Sequence, residues 1–480
     1  MTKRTNLIGL ISVFCLLLSL AGCGNSSTPQ VSQQPPLSAG NVNLIFVSSE
    51  DLAYHVAGDI DPATANLTNQ GLQRTLLLGS FLKQRVLGGE NVTSIYALAP
   101  MTHLQTANEY PDMAALETVQ QFAMLNRATV PQEGSAHSFP IFASYAAGAV
   151  PDGVAAPVFA CPACQGLDFR DPDNINETMV DQIIQNNAAG FYVMSAPWET
   201  IHTLMAGLNA QEGYNLTIPD HYAGPDSVYA ISIAPSREAK LVSYDSDLHP
   251  GAGYPELPPG HILPATCDST FHYEVTAGVG GAMVPLNSNV NETVYFIRHA
   301  EAHPTADWDD GNYIGAGQWR ALALPSALQG KIHPDAVYAI DPAVGIPGDV
   351  GSILSSYVRP SLTALPYAIA NKLPYHLAAS VAVFAQNPPQ LSTAASNFFF
   401  TNGTFSGRTL LAAWEHDHIP PTIDALLASY QSVLTAPKWH DDDYDSIWTV
   451  RLDAQGNLSV DNDFCEGIDS TALPKAAPVF

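Results

Sequence analysis

The sequence predicts an α/β protein with two tandem three-layer α/β/α units, each built on a mainly parallel sheet. Three observations support this prediction. The chain has 480 residues, which is more than one hydrophobic core usually organises. Each half alternates short apolar runs with stretches of helical period, as α/β folds do. Four short segments of the first half also recur, in the same order, in the second half.

The recurring segments define the two units. They pair 43–47 with 293–297, 71–74 with 317–320, 96–97 with 338–339, and 226–231 with 445–450. Because the order is kept while the loops shorten, the pattern indicates a duplication. We place the units at 41–285 and 290–480, with a boundary near residues 285–289, where Pro, Asn and Ser interrupt the apolar pattern.

The elements of the second unit follow from its periodicity. Short apolar runs predict buried strands, and stretches of helical period that begin near Pro or end near Gly predict helices. The predicted strands are 294–297, 336–340 and 409–413, and the predicted helices are 319–328, 360–373 and 420–430. Residues 453–457 read as a turn between two late strands, 447–452 and 458–460.

The composition restricts the function. Hydrophobic residues make up 46% of the chain and charged residues 13%, so there is ample apolar surface for a folded core. The chain has 18 basic and 45 acidic side chains, a net charge of −27. This balance excludes a typical nucleic-acid binder and opposes attraction to an anionic membrane surface. An anionic substrate would need a local positive pocket.

The N-terminus predicts an exported protein. Lys3 and Arg4 precede an apolar run at 7–20, which is followed by small residues and Cys23. This pattern resembles the bacterial lipoprotein box, which implies a signal peptide at 1–22 and a lipid on Cys23. A plain signal peptide or a short anchor is the alternative. Residues 23–40 then read as a flexible tether to the cell envelope, and Gly24 favours the outer membrane where two membranes exist.

The remaining cysteines predict structural disulfides. After removal of the signal peptide and lipidation of Cys23, four cysteines remain, an even number in an exported protein. They are Cys161, Cys164, Cys267 and Cys465. The Cys-Pro-Ala-Cys spacing of the first two also allows a redox or metal pair, but no second ligand pair lies nearby.

Candidate catalytic residues follow two predicted strands of the second unit. Arg298 and His299 come directly after one strand, and His416 comes after another. Because the carboxyl ends of parallel strands meet at one edge of a sheet, these side chains should lie together. Arg359 stands at a predicted helix start, and a further helix begins at Pro420. Arginine forks, histidines and a helix N-terminus can form a phosphate pocket.

The second unit resembles the histidine phosphatase superfamily, with its phosphoglycerate-mutase-like fold. The family's Arg-His-Gly-Glu corresponds to residues 298–301, with Ala300 in place of glycine, and its Ser-x-x-Arg corresponds to Ser356 and Arg359. His416 corresponds to the second family histidine, and residues 317–320 match the family's helix entry. The resemblance implies that His299 takes up the phosphoryl group, that Arg298, Arg359 and Ser356 bind phosphate, and that His416 stabilises charge. It implies no cofactor and no metal.

The proton donor has several candidates. Many relatives use an acid between the second arginine and the second histidine, but residues 360–407 contain neither Asp nor Glu. The acid phosphatase and phytase branch uses an Asp directly after its second histidine. Asp417 reproduces that position, so the resemblance implies Asp417 as the donor. Glu301, Asp309 and Asp310 remain rivals.

Other polar residues nearby have simpler interpretations. His303 and His418 are typical of local hydrogen bonding. Glu415 precedes the second histidine and can orient it. The acidic segment 440–445 is typical of a solvated loop, with a calcium loop as the alternative.

The first unit lacks the matching residues. Alignment of its strands places Ser48 and Ser49 where Arg298 and His299 stand, Glu199 at the position of His416, and Met113 near that of Arg359. A neutral and acidic pocket cannot hold phosphate, so we predict a catalytically inactive partner domain. It can serve in packing, or in binding a ligand and shaping the substrate entrance.

The sequence therefore predicts an extracytoplasmic, lipid-anchored phosphatase. It would hydrolyse small phosphomonoesters through a phosphohistidine, as a histidine acid-type phosphatase, without a nucleic-acid partner. The alternative is a non-catalytic surface protein that binds an anion or a protein partner.

Overall fold

Two mixed β-sheets with helices on both faces organise the part of the chain that the computed structural model describes. That part comprises residues 34–54, 58–108, 110–126, 141–142, 166–259, 272–279, 283–302, 312–340, 345–347, 354–378 and 388–480. From Pro36 onward the chain forms one unit by its contacts. Several predicted features lie outside the described residues: the signal peptide, Cys23, Cys161, Cys164, Cys267, His303, Asp309 and Asp310.

The first half of the chain supplies eight strands and four helices in the described ranges. The strands are β1 (Val42–Ser49), β2 (Ser94–Ala97), β3 (Leu104–Gln105), β4 (Tyr110–Pro111), β5 (Ile141–Phe142), β6 (Gly190–Pro197), β7 (Ser227–Ile233) and β8 (Ala239–Asp245). The helices are α1 (Asn69–Phe81), α2 (Ala114–Leu125), α3 (Ile175–Asn186) and α4 (Trp198–Glu212).

The remainder supplies nine strands and four helices, again counted over the described ranges. The strands are β9 (Glu274–Ala277), β10 (Glu292–Arg298), β11 (Ala336–Ile340), β12 (Gly345–Pro347), β13 (Leu354–Ser356), β14 (Tyr375–Ala378), β15 (Thr409–Trp414), β16 (Ser446–Leu452) and β17 (Leu458–Cys465). The helices are α5 (Gly315–Ala327), α6 (Arg359–Asn371), α7 (Pro388–Phe400) and α8 (Ile419–Ser429).

The two large sheets have corresponding strand orders. The first sheet runs β5-β2-β6-β1-β7-β8 and the second runs β14-β11-β15-β10-β16-β17-β9. In each sheet, the first four strands are parallel and the later ones antiparallel. The predicted mainly parallel character is therefore wrong for the second sheet, where antiparallel pairings equal parallel ones. The tight turn between β16 and β17 requires those strands to run in opposite directions.

Successive side chains of the central strands point to opposite faces of the sheet and pack into two separate hydrophobic cores. In β1, Ile45 and Val47 face one hydrophobic cluster while Leu44 and Phe46 face another, as the two-residue period of a strand requires. Helices α1 and α2 cover the first face, and α3 and α4 cover the second. In the second sheet, α5 and α6 cover one face while α7 and α8 cover the other.

One hydrophobic cluster spans both halves of the chain. It contains residues of α1 and α2 together with residues of α5 and α6. Hydrogen bonds cross the same contact: Gln120 Nε2 donates to Asn312 Oδ1 at 2.9 Å, and Tyr254 Oη donates to Leu322 O at 2.9 Å. The predicted boundary near 285–289 stays a prediction, and β9, which precedes it, pairs with β17 in the second sheet.

The predicted strands of the second half are confirmed, and the helices begin up to four residues earlier than predicted. Helix α7 was not predicted, because its two initial prolines and its run of small polar residues obscure the helical period. The end of the predicted tether is ordered, since Leu37 is buried and its N–H donates to Val86 O at 3.0 Å. In the described ranges, no helix has both the length and the apolar composition that a membrane crossing requires.

Glu117 of α2 makes the shared cluster sensitive to pH. Its side chain is 6% exposed, and burial raises its pKa to about 8. The folded state thus binds this proton more tightly than the unfolded state, whose pKa is near 4.5. Because the unfolded state loses this proton at a lower pH than the folded state, the free energy of unfolding falls progressively as the pH rises from about 5 to 8.

We expect Glu117→Gln to remove this dependence. Relative to wild type, the variant should gain free energy of unfolding by up to roughly 1.4 kcal/mol per pH unit across that window. Urea unfolding at about pH 5 and pH 8 measures the difference. A variant with the pH dependence of wild type would show that Glu117 is ionised in the folded protein.

Candidate active site

The ends of two neighbouring strands bring the predicted catalytic residues together. β10 and β15 are parallel neighbours, with Arg298 opposite Trp414. The pairing continues one residue further, because the His299 N–H donates to Trp414 O at 3.0 Å. The rings of His299 and His416 then lie 6.4 Å apart between centroids, at 88° to each other. The structure thus places both histidines at the carboxyl edge of the second sheet, as the sequence analysis expects.

The His299 ring is buried, and its surroundings favour the neutral form. Its side chain is 1% exposed, and Nδ1 lies 2.8 Å from Ala300 O. Because a carbonyl oxygen only accepts hydrogen bonds, Nδ1 carries the proton and Nε2 keeps its lone pair. Nε2 is buried without a hydrogen-bond partner. Burial, followed by the charges of Arg359 and Arg298, holds the pKa of His299 well below its usual value.

Glu415 orients the second histidine. This fully buried carboxylate contacts His416 Nδ1 through Oε1 and accepts a hydrogen bond from the Asp417 N–H through Oε2 at 2.6 Å. Burial alone would raise the pKa of Glu415, but the hydrogen bond and charge of His416 outweigh it and lower the pKa. A charged Glu415 fixes the His416 imidazole, whose Nε2 faces the exposed carboxylates of Asp417 and Asp441.

Arg298 is held by the acidic loop that precedes β16. Its guanidinium stacks over the ring of Tyr444 at 3.8 Å, and Nη1 donates to the carbonyl oxygens of Asp441 at 2.5 Å and Asp443 at 3.2 Å. Its Nε is buried and has no hydrogen-bond partner. The loop at 440–445, interpreted from sequence as solvated, therefore also positions a phosphate-binding candidate.

Arg359 is positioned by the start of α6. It is 1% exposed, and its guanidinium lies 5.1 Å from the ring centroid of Tyr357. Thr363 ties this helix to the segment that follows β10, because its Oγ1 accepts from the Ala300 N–H at 2.9 Å and donates to Arg359 O at 2.7 Å. The Thr363 hydroxyl therefore holds the backbone of Arg359 in place relative to His299.

The charges of this pocket favour an anion. Two buried arginines flank His299, whereas Glu415 is the buried carboxylate beside it in the described part of the chain. The ligand atoms of His299, Glu415 and His416 lie within 4.8 Å of one another, a spacing that could hold a metal ion. The two arginines oppose a cation there. A phosphate group bound there would satisfy the unpartnered Nε of Arg298.

Two acids approach His416 from the solvent side. Asp417 Oδ1 lies 3.8 Å from His416 Nε2 with 54% of its side chain exposed, and Asp441 Oδ1 lies 3.6 Å from the same atom with 75% exposed. Asp417 is the donor that the sequence analysis favours. Asp441 was missed, because only the folding of the 440–445 loop against β10 brings it to the site.

Glu301 belongs to a different network. Its Oε1 accepts hydrogen bonds from Arg320 Nε at 2.8 Å and from Ser470 Oγ at 2.7 Å. Gly317 lies so close that an added Cβ would meet Glu301 O at 2.6 Å, which explains the glycine of the helix entry. Arg320 also binds Glu466 through Nη1 at 2.5 Å, so Glu301 is engaged in a buried ion-pair cluster.

The other predicted residues are placed as follows. Ser356 ends the short strand β13, three residues before Arg359. His418 is buried, and its backbone N–H donates to Glu415 O at 3.0 Å; the local role expected for its side chain stays a prediction. Cys465 is buried at the end of β17, and its three candidate partners lie outside the described residues, so the disulfide pairing stays a prediction.

The first sheet presents different residues at the corresponding edge. Ser48 and Ser49 end β1 and are buried, Glu199 lies in the first turn of α4 after β6, and Met113 precedes α2. If Ser48 is matched to Arg298, the strand registers place Trp198, one residue before Glu199, at the position of His416, and Met113 lies one residue before the helix start that matches Arg359. None of these first-half residues can carry the positive charge of a phosphate pocket.

Arg359→Lys is expected to lower kcat/KM for a phosphomonoester by roughly 10- to 100-fold. An ammonium keeps the charge but loses the planar fork that binds two phosphate oxygens. The exposed Arg408 provides the matched control, since Arg408→Lys should leave kcat/KM unchanged. Steady-state kinetics of both variants measure the effect, and wild-type values for Arg359→Lys would show that a point charge suffices there.

Comparisons with known proteins yield only distant matches. No family model matches the chain, and no curated protein matches it. Among solved structures, the chain is similar to a protein of Agrobacterium tumefaciens assigned as the phosphohistidine phosphatase SixA, with 17% identity and a TM-score of 0.19. That match covers 33% of this chain and 90% of the other.

The chain is also similar to two structures of the phosphoserine phosphatase of Entamoeba histolytica. One is a complex with 3-phosphoglyceric acid, with 15% identity, a TM-score of 0.23, and coverage of 43% of this chain and 98% of the other. The second is a mutant in complex with phosphoserine, with 15% identity, a TM-score of 0.22, and coverage of 43% and 97%. All three neighbours are phosphatases. Scores this low do not assign a family.

Proposed function

We propose that this protein is a phosphomonoesterase that transfers the phosphoryl group of its substrate to His299. The observation that carries the proposal is the buried, unpartnered Nε2 of a neutral His299 between two buried arginines. A pure anion-binding site needs the arginines but has no use for a desolvated lone pair aimed at the bound phosphorus. The resemblance of residues 298–301, Ser356, Arg359 and His416 to the histidine phosphatase superfamily supports the same activity.

The proposed reaction has two steps. His299 Nε2 attacks phosphorus, the P–N bond forms, and the P–O bond to the alcohol breaks while Asp417 protonates the leaving oxygen. Water then attacks the phosphohistidine, its proton returns to the Asp417 carboxylate, and the P–N bond breaks to release inorganic phosphate. Arg298, Arg359 and His416 would bind the phosphoryl oxygens, on which negative charge is concentrated during transfer.

The substrate and setting belong to the same proposal. The local positive charge within a protein of net charge −27 favours small phosphorylated molecules over large anionic surfaces. The lipoprotein-like N-terminus supports a lipid anchor on Cys23 and an extracytoplasmic location. Metabolic labelling with palmitate tests the anchor, because Cys23→Ser should lose the label; retention of the label would refute it.

The halves of the chain would have different roles. We assign catalysis to residues 290–480 and regard residues 41–285 as an inactive partner of the same fold. The corresponding strand orders of the two sheets support this assignment, as do the serines at the end of β1. The extensive shared hydrophobic cluster supports a packing role for the first half.

Hydrolysis of p-nitrophenyl phosphate by the purified full-length protein in detergent tests the proposed activity. We expect release of p-nitrophenolate that inorganic phosphate inhibits competitively. Saturable phosphate binding by calorimetry without turnover of p-nitrophenyl phosphate or glycerol phosphate would instead support the alternative, a surface protein that binds an anion.

A further inference from the structure

A second cluster of ligand-type side chains lies at the carboxyl edge of the first sheet. Asp51 follows β1, His103 directly precedes β3, and Asp112 stands two residues before α2. The strand order makes β1 the counterpart of β10, and α2 starts where α6 starts in the second half. The cluster therefore occupies the position that the phosphate pocket has in the other sheet.

The three side chains converge on one point. His103 Nε2 lies 2.5 Å from Asp51 Oδ2 and 3.8 Å from Asp112 Oδ2. One ligand atom from each residue lies within 4.8 Å of the others. Ligands about 2.0–2.2 Å from a shared tetrahedral ion lie roughly 3.3–3.6 Å apart. The hydrogen bond between His103 and Asp51 would therefore have to open by about 1 Å to admit an ion.

Each residue is fixed by contacts that leave one ligand atom facing the other two residues, and His103 Nε2 and Asp51 Oδ2 form a hydrogen bond with each other. Asp51 Oδ1 accepts from the Ala53 N–H at 2.6 Å, and Asp112 Oδ1 accepts from the Ala114 N–H at 3.0 Å. The His103 ring stacks on Phe169, with 3.8 Å between centroids and 17° between planes. Such supporting contacts hold the donor atoms of metal ligands in place before the ion binds.

The Asp112 carboxylate indicates that the cluster is incomplete as it stands. Asp112 is fully buried, and its Oδ2 has no hydrogen-bond partner while it faces His103. A buried carboxylate oxygen without a partner costs free energy, which a cation at the centre would recover. The charged neighbours that act most strongly on Asp112 are His103 and Asp51, two residues of the cluster itself.

We propose that Asp51, His103 and Asp112 bind one divalent transition metal ion of the Zn²⁺ or Mn²⁺ type. One imidazole nitrogen and two carboxylate oxygens suit these ions, whereas Mg²⁺ and Ca²⁺ prefer oxygen ligands alone. His103 keeps 15% of its side chain exposed, which gives the ion access from solvent. The corresponding edges of the two sheets would thus bind ions of opposite charge: a cation in the first half and an anion in the second.

The catalytic pocket is the competing site for a cation. His299, Glu415 and His416 form one candidate cluster, and His416 with Asp417 and Asp441 forms another. His416 is common to both, so replacing it removes both. The proposed metal site does not depend on the phosphatase activity, and its test uses binding alone.

Calorimetric titration of the chelator-treated full-length protein with Zn²⁺, and separately with Mn²⁺, tests the proposal. We expect one saturable site per chain, with Zn²⁺ bound more tightly than Mn²⁺. Asp112→Asn keeps the oxygen that caps α2 and should weaken Zn²⁺ binding by roughly 100-fold or more, since a charged ligand is lost. His416→Ala is the matched control and should retain the site.

The outcomes separate the possibilities. If Asp112→Asn fails to fold by circular dichroism, His103→Gln replaces it, because that side chain is partly exposed. With Co²⁺ as probe, the visible absorption of the bound ion should appear in wild type and His416→Ala and vanish in His103→Gln. Absence of saturable binding in wild type would overturn the proposal. So would binding that survives the Asp112 and His103 changes or is lost in His416→Ala.

Discussion

Replacing His299 with alanine is expected to abolish phosphomonoester turnover, with a fall in kcat of roughly 10⁴-fold or more. Loss of the nucleophile removes the covalent route, and water in its place would lack both position and activation. Inorganic phosphate should still bind, because Arg298 and Arg359 keep their charge and their supporting contacts. Calorimetry with phosphate and p-nitrophenyl phosphate kinetics measure the two effects on the same preparation.

A surface histidine provides the control for this substitution. His249 has 84% of its side chain exposed, so His249→Ala should leave kcat unchanged. The same experiment tests the assignment of catalysis to the second half, since an active first half would leave turnover in His299→Ala. A variant that keeps near wild-type kcat would show that His299 is not the nucleophile.

Asp417→Asn is expected to slow alkyl phosphates such as glycerol phosphate by roughly 10²- to 10⁴-fold. An alkoxide is a poor leaving group and needs a proton in the transition state, whereas p-nitrophenolate hardly needs one. The variant should therefore lose much less activity on p-nitrophenyl phosphate, provided that hydrolysis of the phosphohistidine does not become limiting. Parallel kinetics on the two substrates measure the difference.

Asp441 is the matched comparison, because the two acids lie at similar distances from His416 Nε2. Asp441 Oδ1 is 3.6 Å from this atom and Asp417 Oδ1 is 3.8 Å from it. If Asp417 is the donor, Asp441→Asn should retain most activity on both substrates. A substrate-dependent loss in Asp441→Asn instead would move the proton transfer to that residue. Equal losses on both substrates in Asp417→Asn would make Asp417 a positioning residue.

Local patterns were sufficient to predict the central elements. The strands that became β10, β11 and β15 are short and mainly apolar, as burial on both faces requires. The antiparallel side of the second sheet was harder to predict. β9 joins β17 although about 180 residues separate them, and no local pattern encodes a pairing of that range.

The part of the site that could be predicted consists of arginine and histidine residues at the ends of strands. Arg298 ends β10, His299 directly follows it, and His416 follows β15, so the sheet alone brings them together. The contacts of Arg298 with Tyr444 and the 440–443 carbonyls were not predictable, because a distant loop packs over the strand end. Glu415 was expected only as an orienting neighbour, and the hydrogen bond and charge of His416 lower its pKa in spite of its burial.

The acidic cluster of the first half shows the same limit. Asp51 and His103 are separated by about 50 residues, and a lone Asp and a lone His in loops predict no metal site. Only the convergence of β1, β3 and α2 brings their ligand atoms within 4.8 Å. Comparing the sequences of the two halves showed that the first half lacks the arginine and histidine residues of the pocket, but it did not identify the cluster of Asp51, His103 and Asp112.

Rapid-quench trapping of the phosphorylated protein tests the central claim most directly. After mixing with ³²P-labelled substrate, wild-type protein should carry a phosphoryl group that is labile to acid and stable to alkali, as a phosphoramidate on histidine is. Peptide mapping should place the label on His299, and His299→Ala should carry none. Turnover by wild-type protein without any such label, or a label on another residue, would contradict the mechanism.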